Sequence, residues 1–362
     1  MLELIPKIPA YMAMRRFGWP TLLPLNLVFS VTYRCNSRCR TCNIWRHVGA
    51  SAAPGDELAL DECERIFASI GRSPYYLTFS GGEPFLRRDL ADVVAIAYHH
   101  CRPSVITIPT NGLLAPRIPG QVEKILEACP AANVIVNVSV DSIGAEHDAI
   151  RGVKGSFDSA LRTLEGLRSL KHPRLVTGLH TVVSRFNVDR LPEIYDHLAQ
   201  VGPESLITEV AEERLELGTM GTEITPSVAE YDQAAKFLIA RAREQRASGF
   251  ARVTRAFRLQ YYGLAARTLA ERRQVLPCYA GFASGHISPD GDVWTCCTRA
   301  EPLGNLREAG YNFPKVWRGE KAAALRRSIK RGECYCPMAN ASYTNMLLDP
   351  KTMLKVSRTA VG

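Results

Sequence analysis

Short β-branched runs alternate along the chain with longer stretches in which apolar residues recur at helical period. The runs predict strands at Leu25–Thr32, Tyr75–Ser80, Val105–Pro109, Val134–Val140, Leu175–Val183 and Ser205–Val210. Between and after them the helical pattern covers Leu60–Gly71, Leu86–His100, Pro116–Ala128, Ser156–Leu170, Val188–Val201 and Pro226–Ser248. Six βα units in series require a parallel sheet, because each strand returns by a helical crossover. Six units are too few to close an eight-unit TIM-type barrel. The pattern therefore predicts an α/β fold, a partial and partly open (β/α)6 TIM-like barrel.

After the sixth unit the texture changes. Residues 252–277 are arginine-rich without a clear period and read as a linker or bridging helix. From Cys278 onward, Pro, Gly, Trp and paired cysteines in short segments predict a small metal-stapled C-terminal extension. Ahead of the first strand, MLELIPKIPAYMAMRRFGWPTLLP mixes apolar side chains with Lys7, Arg15 and Arg16. It is expected to pack across the open end of the barrel, and peripheral contact with an anionic membrane is the alternative for such a segment. The expected organisation is an amphipathic segment over 1–24, the barrel over 25–250, a linker over 251–277, and the extension with its tail over 278–362.

Composition narrows the partners only a little. The 362 residues are 46% hydrophobic and 22% charged, an ordinary globular balance. The net charge of +9 favours an anionic partner, but no long run of like charges suggests a nucleic-acid arm. Eleven cysteines without a secretory signal point to a reducing cytoplasm, where clustered cysteines bind metal more often than they pair. The uncharged stretch from Phe17 to Tyr33 contains two prolines and is too short to span a bilayer.

In parallel βα folds the chemistry collects at the carboxyl ends of the strands. Here Cys35–Cys42 follows the first predicted strand, Gly81-Gly82-Glu83 the second and Thr110-Asn111-Gly112 the third, while Ser139 and Asp141 close the fourth. The loop CNSRCRTC places its thiols as Cys35-x3-Cys39-x2-Cys42. Thiolates select zinc or iron–sulfur clusters. Structural zinc wants four closed ligands, whereas a cubane cluster on three cysteines keeps one iron exchangeable. The loop alone leaves both readings open.

Joined to Gly-Gly-Glu-Pro after the second strand, the loop resembles that of the radical S-adenosylmethionine (SAM) enzymes, a resemblance covering about residues 25–338. It implies a [4Fe–4S] cluster on Cys35, Cys39 and Cys42 whose open iron binds SAM. A reductase such as flavodoxin or ferredoxin would supply the electron that cleaves SAM to methionine and a 5′-deoxyadenosyl radical, and that radical would take hydrogen from a substrate. The resemblance further implies cofactor contacts for Gly81, Gly82, Glu83 and Thr110. The stretch SVDSIGAEHDAIRG is similar to the family's fourth-strand pattern, in which Ser139 and Arg151 would hold the methionine carboxylate or ribose. Arginine suits a carboxylate because its planar fork pairs bidentately. Ser142 stands where the family pattern has Gly.

Cys278-x12-Gly291-x4-Cys296 resembles the opening of the family's SPASM and twitch extensions. A full two-cluster SPASM extension uses seven cysteines, and five lie beyond residue 277. The resemblance thus implies one auxiliary [4Fe–4S] cluster on Cys278, Cys296, Cys334 and Cys336, with Cys297 as a substitute ligand because the closing pair is Cys-x-Cys. A four-thiolate zinc site is the alternative. Cys63, Cys101 and Cys129 fall in helical or helix-end segments and read as small buried hydrophobes. His180, Glu209, Glu212 and Glu213 are candidates for a base or a polar substrate contact. The expected reaction is a net oxidation, or formation of a carbon–carbon or carbon–sulfur bond, on an anionic small-molecule or lipid-linked substrate. A ribosomal-peptide maturase and a non-catalytic iron–sulfur carrier are the alternatives.

Overall fold

The computed structural model describes residues 2–49, 57–245 and 249–361. Alternation along β1 (Asn26–Ser30) sends Leu27 and Phe29 into the helix-side core and leaves Asn26, Val28 and Ser30 on the opposite, inner face. The same division runs through β2 (Tyr76–Ser80), β3 (Val105–Thr110), β4 (Asn133–Ser139), β5 (Leu175–Val183) and β6 (Ser205–Val210). Val134, Val136 and Val138 of β4 are fully buried in the core, while Ser139 lies beside His180 of β5. The inner face is polar. Tyr76 and Thr107 share a 2.6 Å hydrogen bond there, and Ser30 Oγ lies 2.8 Å from His286 Nε2.

α1 (Ile8–Phe17) precedes the sheet, and the crossovers are α2 (Leu60–Ile70), α3 (Leu90–Cys101), α4 (Ile118–Ala128), α5 (Gly144–Arg151), α6 (Ser156–Ser169) and α7 (Leu191–Gln200). After β6 come α8 (Val228–Glu244) and the 23-residue α9 (Gly249–Glu271), a helix where a linker or bridging helix was expected. Then follow β7 (Ser284–Ile287), β8 (Asp292–Trp294), β9 (Pro302–Asn305), α10 (Phe313–Trp317), α11 (Glu320–Arg331), α12 (Ala339–Leu347) and α13 (Pro350–Val361). The strand order is β6-β5-β4-β3-β2-β1-β7-β8-β9. All neighbours are parallel through β7, and β8 and β9 are antiparallel. The six expected parallel strands are therefore extended by a seventh, which pairs with β1 from beyond residue 278.

The amino-terminal segment, expected across the open end of the barrel, lies at the amino ends of the strands and against the C-terminal extension. Leu4 and Lys7 share a surface cavity with Arg72, Tyr75 and Ser104 at the amino ends of β2 and β3. Tyr11 and Met14 pack with Tyr279, Phe282 and Leu348, and Arg15 donates to the Cys278 carbonyl at 2.9 Å. The open side at β6 is met instead by α9. Arg258 donates to Ser205 Oγ at 2.6 Å, and Tyr261 stacks on Tyr343 of α12. Among the described residues, no helix is long and apolar enough to cross a membrane.

Candidate functional site

The three-cysteine loop leaves β1 and is clamped on two sides. On one side Gly82 N–H donates to the Thr32 carbonyl at 2.7 Å and Glu83 N–H to the Arg34 carbonyl at 2.8 Å. Gly81 adopts φ +131, and a Cβ on either glycine would run into the backbone of Thr32 or Arg34, so only glycine permits this approach. On the other side Arg38 N–H and Arg40 N–H donate to the carbonyls of Arg151 and Ile150 at the end of α5. The two glycines thus press the second-strand turn onto the run that enters the cysteine loop.

Each of the three thiols is free and has a donor directed at it. Ser37 N–H reaches Cys35 Sγ at 3.4 Å, Ile44 N–H reaches Cys42 Sγ at 3.5 Å, and Arg151 reaches Cys39 Sγ at 3.7 Å. Burial, with the neighbouring thiols adding to it, pushes Cys35 up to about 11 and Cys42 up to about 12. Such donors suit cluster-bound thiolates. A tetrahedral zinc site holds its sulfurs roughly 3.8 Å apart. Among the described residues, the one group of three metal-ligating side chains with donor atoms all within 4.8 Å contains neither this trio nor the second cysteine set. Neither cysteine set is drawn together that tightly among the described residues.

The rim around the loop is preorganised. Glu83 is buried and accepts from Phe85 N–H, Thr110 Oγ1 and Asn111 N–H. Burial raises it to about 7 against those donors. The Thr110 hydroxyl is therefore used within the protein, joining the second and third strand ends. Asn111, which the sequence reading did not single out, donates instead toward Cys35 Sγ at 3.9 Å and to Asn36 at 2.7 Å. Arg151 pairs with the buried Asp141 at 2.8 Å. Although burial opposes its charge, Asp141 and Cys39 outweigh burial and raise the Arg151 pKa. Burial and the Arg151 charge push His147 down to about 4. Ser142, in place of the family's Gly, donates to Glu146 in α5 at 3.0 Å.

The second set assembles from three segments. Burial, with Cys296 and Cys334 adding, pushes Cys278 up to about 12. Cys336 is raised by burial and then by Glu212, Cys278 and Cys296. Cys297 packs beside Cys296 and Cys336, with its thiol 3.1 Å from Met338 Sδ and 3.7 Å from Arg214. Cys63, Cys101 and Cys129 are buried in the main core, as small hydrophobes would be.

Between the two cysteine sets lies a charged inner surface. His180 faces Glu209 at 3.5 Å, Glu212 pairs with Arg214 at 2.7 Å, and Glu216 faces His286 at 3.5 Å. Burial raises Glu212 to about 7, opposed by Arg214. Glu216 adds to the charge felt by Cys42, and Glu212 to that felt by Cys336. Glu213 is different: its carboxylate accepts from Gly221 and Glu223 N–H and braces a turn. Arg214, Glu216 and His286 carried no signal in the sequence, because the fold alone brings them together.

Two family models match the chain, the Radical SAM superfamily over residues 29–198 and the SPASM iron-sulfur cluster-binding domain over residues 278–337. The chain is 30% identical over 324 residues to the mycofactocin maturase MftC of Mycolicibacterium smegmatis, covering 86% of this chain and 74% of that protein. It is 32% identical over 230 residues to the Fe-coproporphyrin III synthase of Methanosarcina barkeri, covering 62% of this chain and about half, 53%, of that protein. Among solved structures it resembles Streptococcus suis SuiB bound to S-adenosylmethionine, with a TM-score of 0.62 at 13% identity over 88% of this chain and 71% of that one. SuiB bound to its precursor peptide SuiA gives 0.61 at 14% identity, over 90% of this chain and 72% of that one. Likeness at such identity shows the shared fold.

Proposed function

Because the chain belongs to the radical SAM superfamily and carries a SPASM iron–sulfur domain, we propose that it oxidises a substrate held between its two cysteine sets. It is an enzyme, and its cofactors are a SAM-binding [4Fe–4S] cluster and an auxiliary cluster. Together the reduced cluster and SAM supply a 5′-deoxyadenosyl radical. On this reading Cys35, Cys39 and Cys42 hold the first cluster, and Cys278, Cys296, Cys334 and Cys336 the second. Gly81 and Gly82 shape the cofactor cradle, with Glu83 and Thr110 locking its rim. Ser139 and Arg151 take the methionine carboxylate or ribose. The barrel would span 25–250, and 251–277 would join it to the auxiliary-cluster module.

The observation that supports the reading is the buried polar surface between the two sets, where Glu212 pairs with Arg214 at 2.7 Å and Glu216 faces His286 at 3.5 Å. Glu212, held near neutrality in its pKa, is placed to take a proton from an oxidised substrate. Each carboxylate of the inner face stands beside a basic group, Glu209 by His180, Glu212 by Arg214 and Glu216 by His286, so the +9 net charge is what favours an anionic substrate. That charge fits an anionic small-molecule or lipid-linked substrate. Co-sedimentation with anionic vesicles distinguishes the lipid-linked case. A peptide substrate is the second reading, favoured by the maturase relative and by SuiB's precursor peptide.

The test incubates reduced enzyme with ordinary and deuterated extracts of its host. Deuterium should appear in 5′-deoxyadenosine, with one SAM consumed per product. Label in regenerated SAM would make the cofactor catalytic and replace the oxidation with an isomerisation.

A further inference from the structure

Cys297 lies next to the second cysteine set, packed against Cys296 and Cys336, and its thiol is buried beside two other metal-ligating groups. Among the described residues, Glu216, His286 and Cys297 are the one trio whose donor atoms all lie within 4.8 Å of one another. We propose that these three residues form a third metal site, for a single divalent transition ion, between the two clusters.

The spacing separates this trio from the cluster sites. Bonds of about 2.0–2.3 Å to a tetrahedral ion put its ligand atoms roughly 3.3–3.8 Å apart. The trio needs a small contraction to reach that, and a cubane would not fit inside it. Each ligand comes from a different, fixed element. His286 sits in β7 between Val28 and Trp294, with its ring 4.9 Å from the Trp294 ring. Glu216 follows β6 in a turn whose N–H groups at Leu215 and Glu216 donate to the carbonyls of Thr298 and Cys297. Cys297 follows β8, and a second soft sulfur, Met338 Sδ, lies 3.1 Å from its Sγ.

Glu216 faces His286 Nε2 at 3.5 Å, and Ser30 Oγ, 2.8 Å from the same nitrogen, is the contact a metal would replace. Arg214 lies 3.7 Å from Cys297 Sγ, but Glu212 at 2.7 Å engages its charge. Thiolate, imidazole and carboxylate together match zinc, which outcompetes ferrous iron at such donors. Three protein ligands leave a fourth position open, the arrangement of a catalytic rather than a structural ion.

The experiment uses the enzyme with both clusters reconstituted, treated anaerobically with Zn²⁺, desalted and analysed for metals by mass spectrometry. Wild type should keep about one zinc per chain with its iron unchanged. Cys297→Ser and His286→Gln should each lose that zinc while retaining iron and the electron paramagnetic resonance signals of both clusters. Glu216→Gln, with the same expectation, replaces either variant that fails to fold. Absence of zinc in wild type, or zinc retained by the variants, overturns the site. Loss of about four irons from Cys297→Ser would also overturn it, and would make Cys297 an auxiliary-cluster ligand.

Discussion

Gly82 has an ordinary backbone conformation, so alanine there meets no torsional penalty and tests the close approach alone. A Cβ on Gly82 would lie 2.6 Å from the Arg34 carbonyl carbon and 2.8 Å from the Tyr33 carbonyl oxygen, where ordinary contact begins at 3.4 Å. The opposing atoms are backbone and cannot swing aside. The turn must therefore retreat by about 0.8 Å or more from the segment entering the cysteine loop. That shift lengthens the Gly82-to-Thr32 and Glu83-to-Arg34 hydrogen bonds, now 2.7 and 2.8 Å. Losing both costs about 1–3 kcal/mol of local stability. Displacing a reacting group by about 1 Å costs about 10²-fold in rate. Gly82→Ala should therefore retain its auxiliary-cluster iron while forming 5′-deoxyadenosine about a hundredfold more slowly under reducing, anaerobic conditions. A rate within about twofold of wild type, with full iron content, would refute the clamp.

Ser139→Ala with Arg151→Ala should weaken SAM binding at least tenfold, from loss of about 1.5–3 kcal/mol per charged hydrogen bond, with iron content intact. Unchanged affinity in a calorimetric titration removes both residues from the site. Glu62 of α2 pairs with Arg307, beyond β9, at 2.7 and 2.9 Å, and Arg307 with the surrounding donors holds it down to about 2, against an ordinary value of 4.5. The pair's stability is complete above pH 4.5 and is lost as pH falls toward 2, because the native carboxylate resists protonation. Arg307 is 32% exposed, so screening limits the contribution to about 1–2 kcal/mol. Glu62→Gln should lower the urea midpoint at pH 7 and flatten its decline between pH 4.5 and 2, and an unaltered pH profile contradicts the pairing. Cys63→Ala, Cys101→Ala and Cys129→Ala should each leave iron content unchanged, and iron loss from any of them would return that thiol to the list of ligands.

The six barrel strands were legible because each is a short β-branched or aromatic run bounded by turn residues, as in Val134, Ile135, Val136 and Val138 of β4 or Tyr76 and Phe79 of β2. The cysteine loop and the glycine turn were legible because their spacing is local in sequence. β7 was not. Ser-Gly-His-Ile lacks an apolar pattern, and it is a strand because its backbone completes the free edge of β1. The amino terminus settles at the amino ends of the strands because Tyr11 and Met14 find apolar partners in the extension, at Tyr279, Phe282 and Leu348, which no local pattern shows. The roles of Thr110 and Asn111 also separated only in three dimensions. Both are polar and adjacent, and the strand's alternation turns Thr110 toward Glu83 while Asn111 reaches Cys35. The inner surface of Arg214, Glu216 and His286 joins segments some seventy residues apart in the chain, a distance no local pattern reports.

The central claim is that two separate cysteine sets hold two clusters and that only the first opens SAM. Anaerobically reconstituted wild type should contain about eight irons per chain, as two cubanes require. Replacing Cys35, Cys39 and Cys42 together with alanine should leave about four, keep the auxiliary cluster's electron paramagnetic resonance signal, and abolish 5′-deoxyadenosine formation. Iron unchanged by the triple substitution, or continued SAM cleavage without those thiols, would contradict the account.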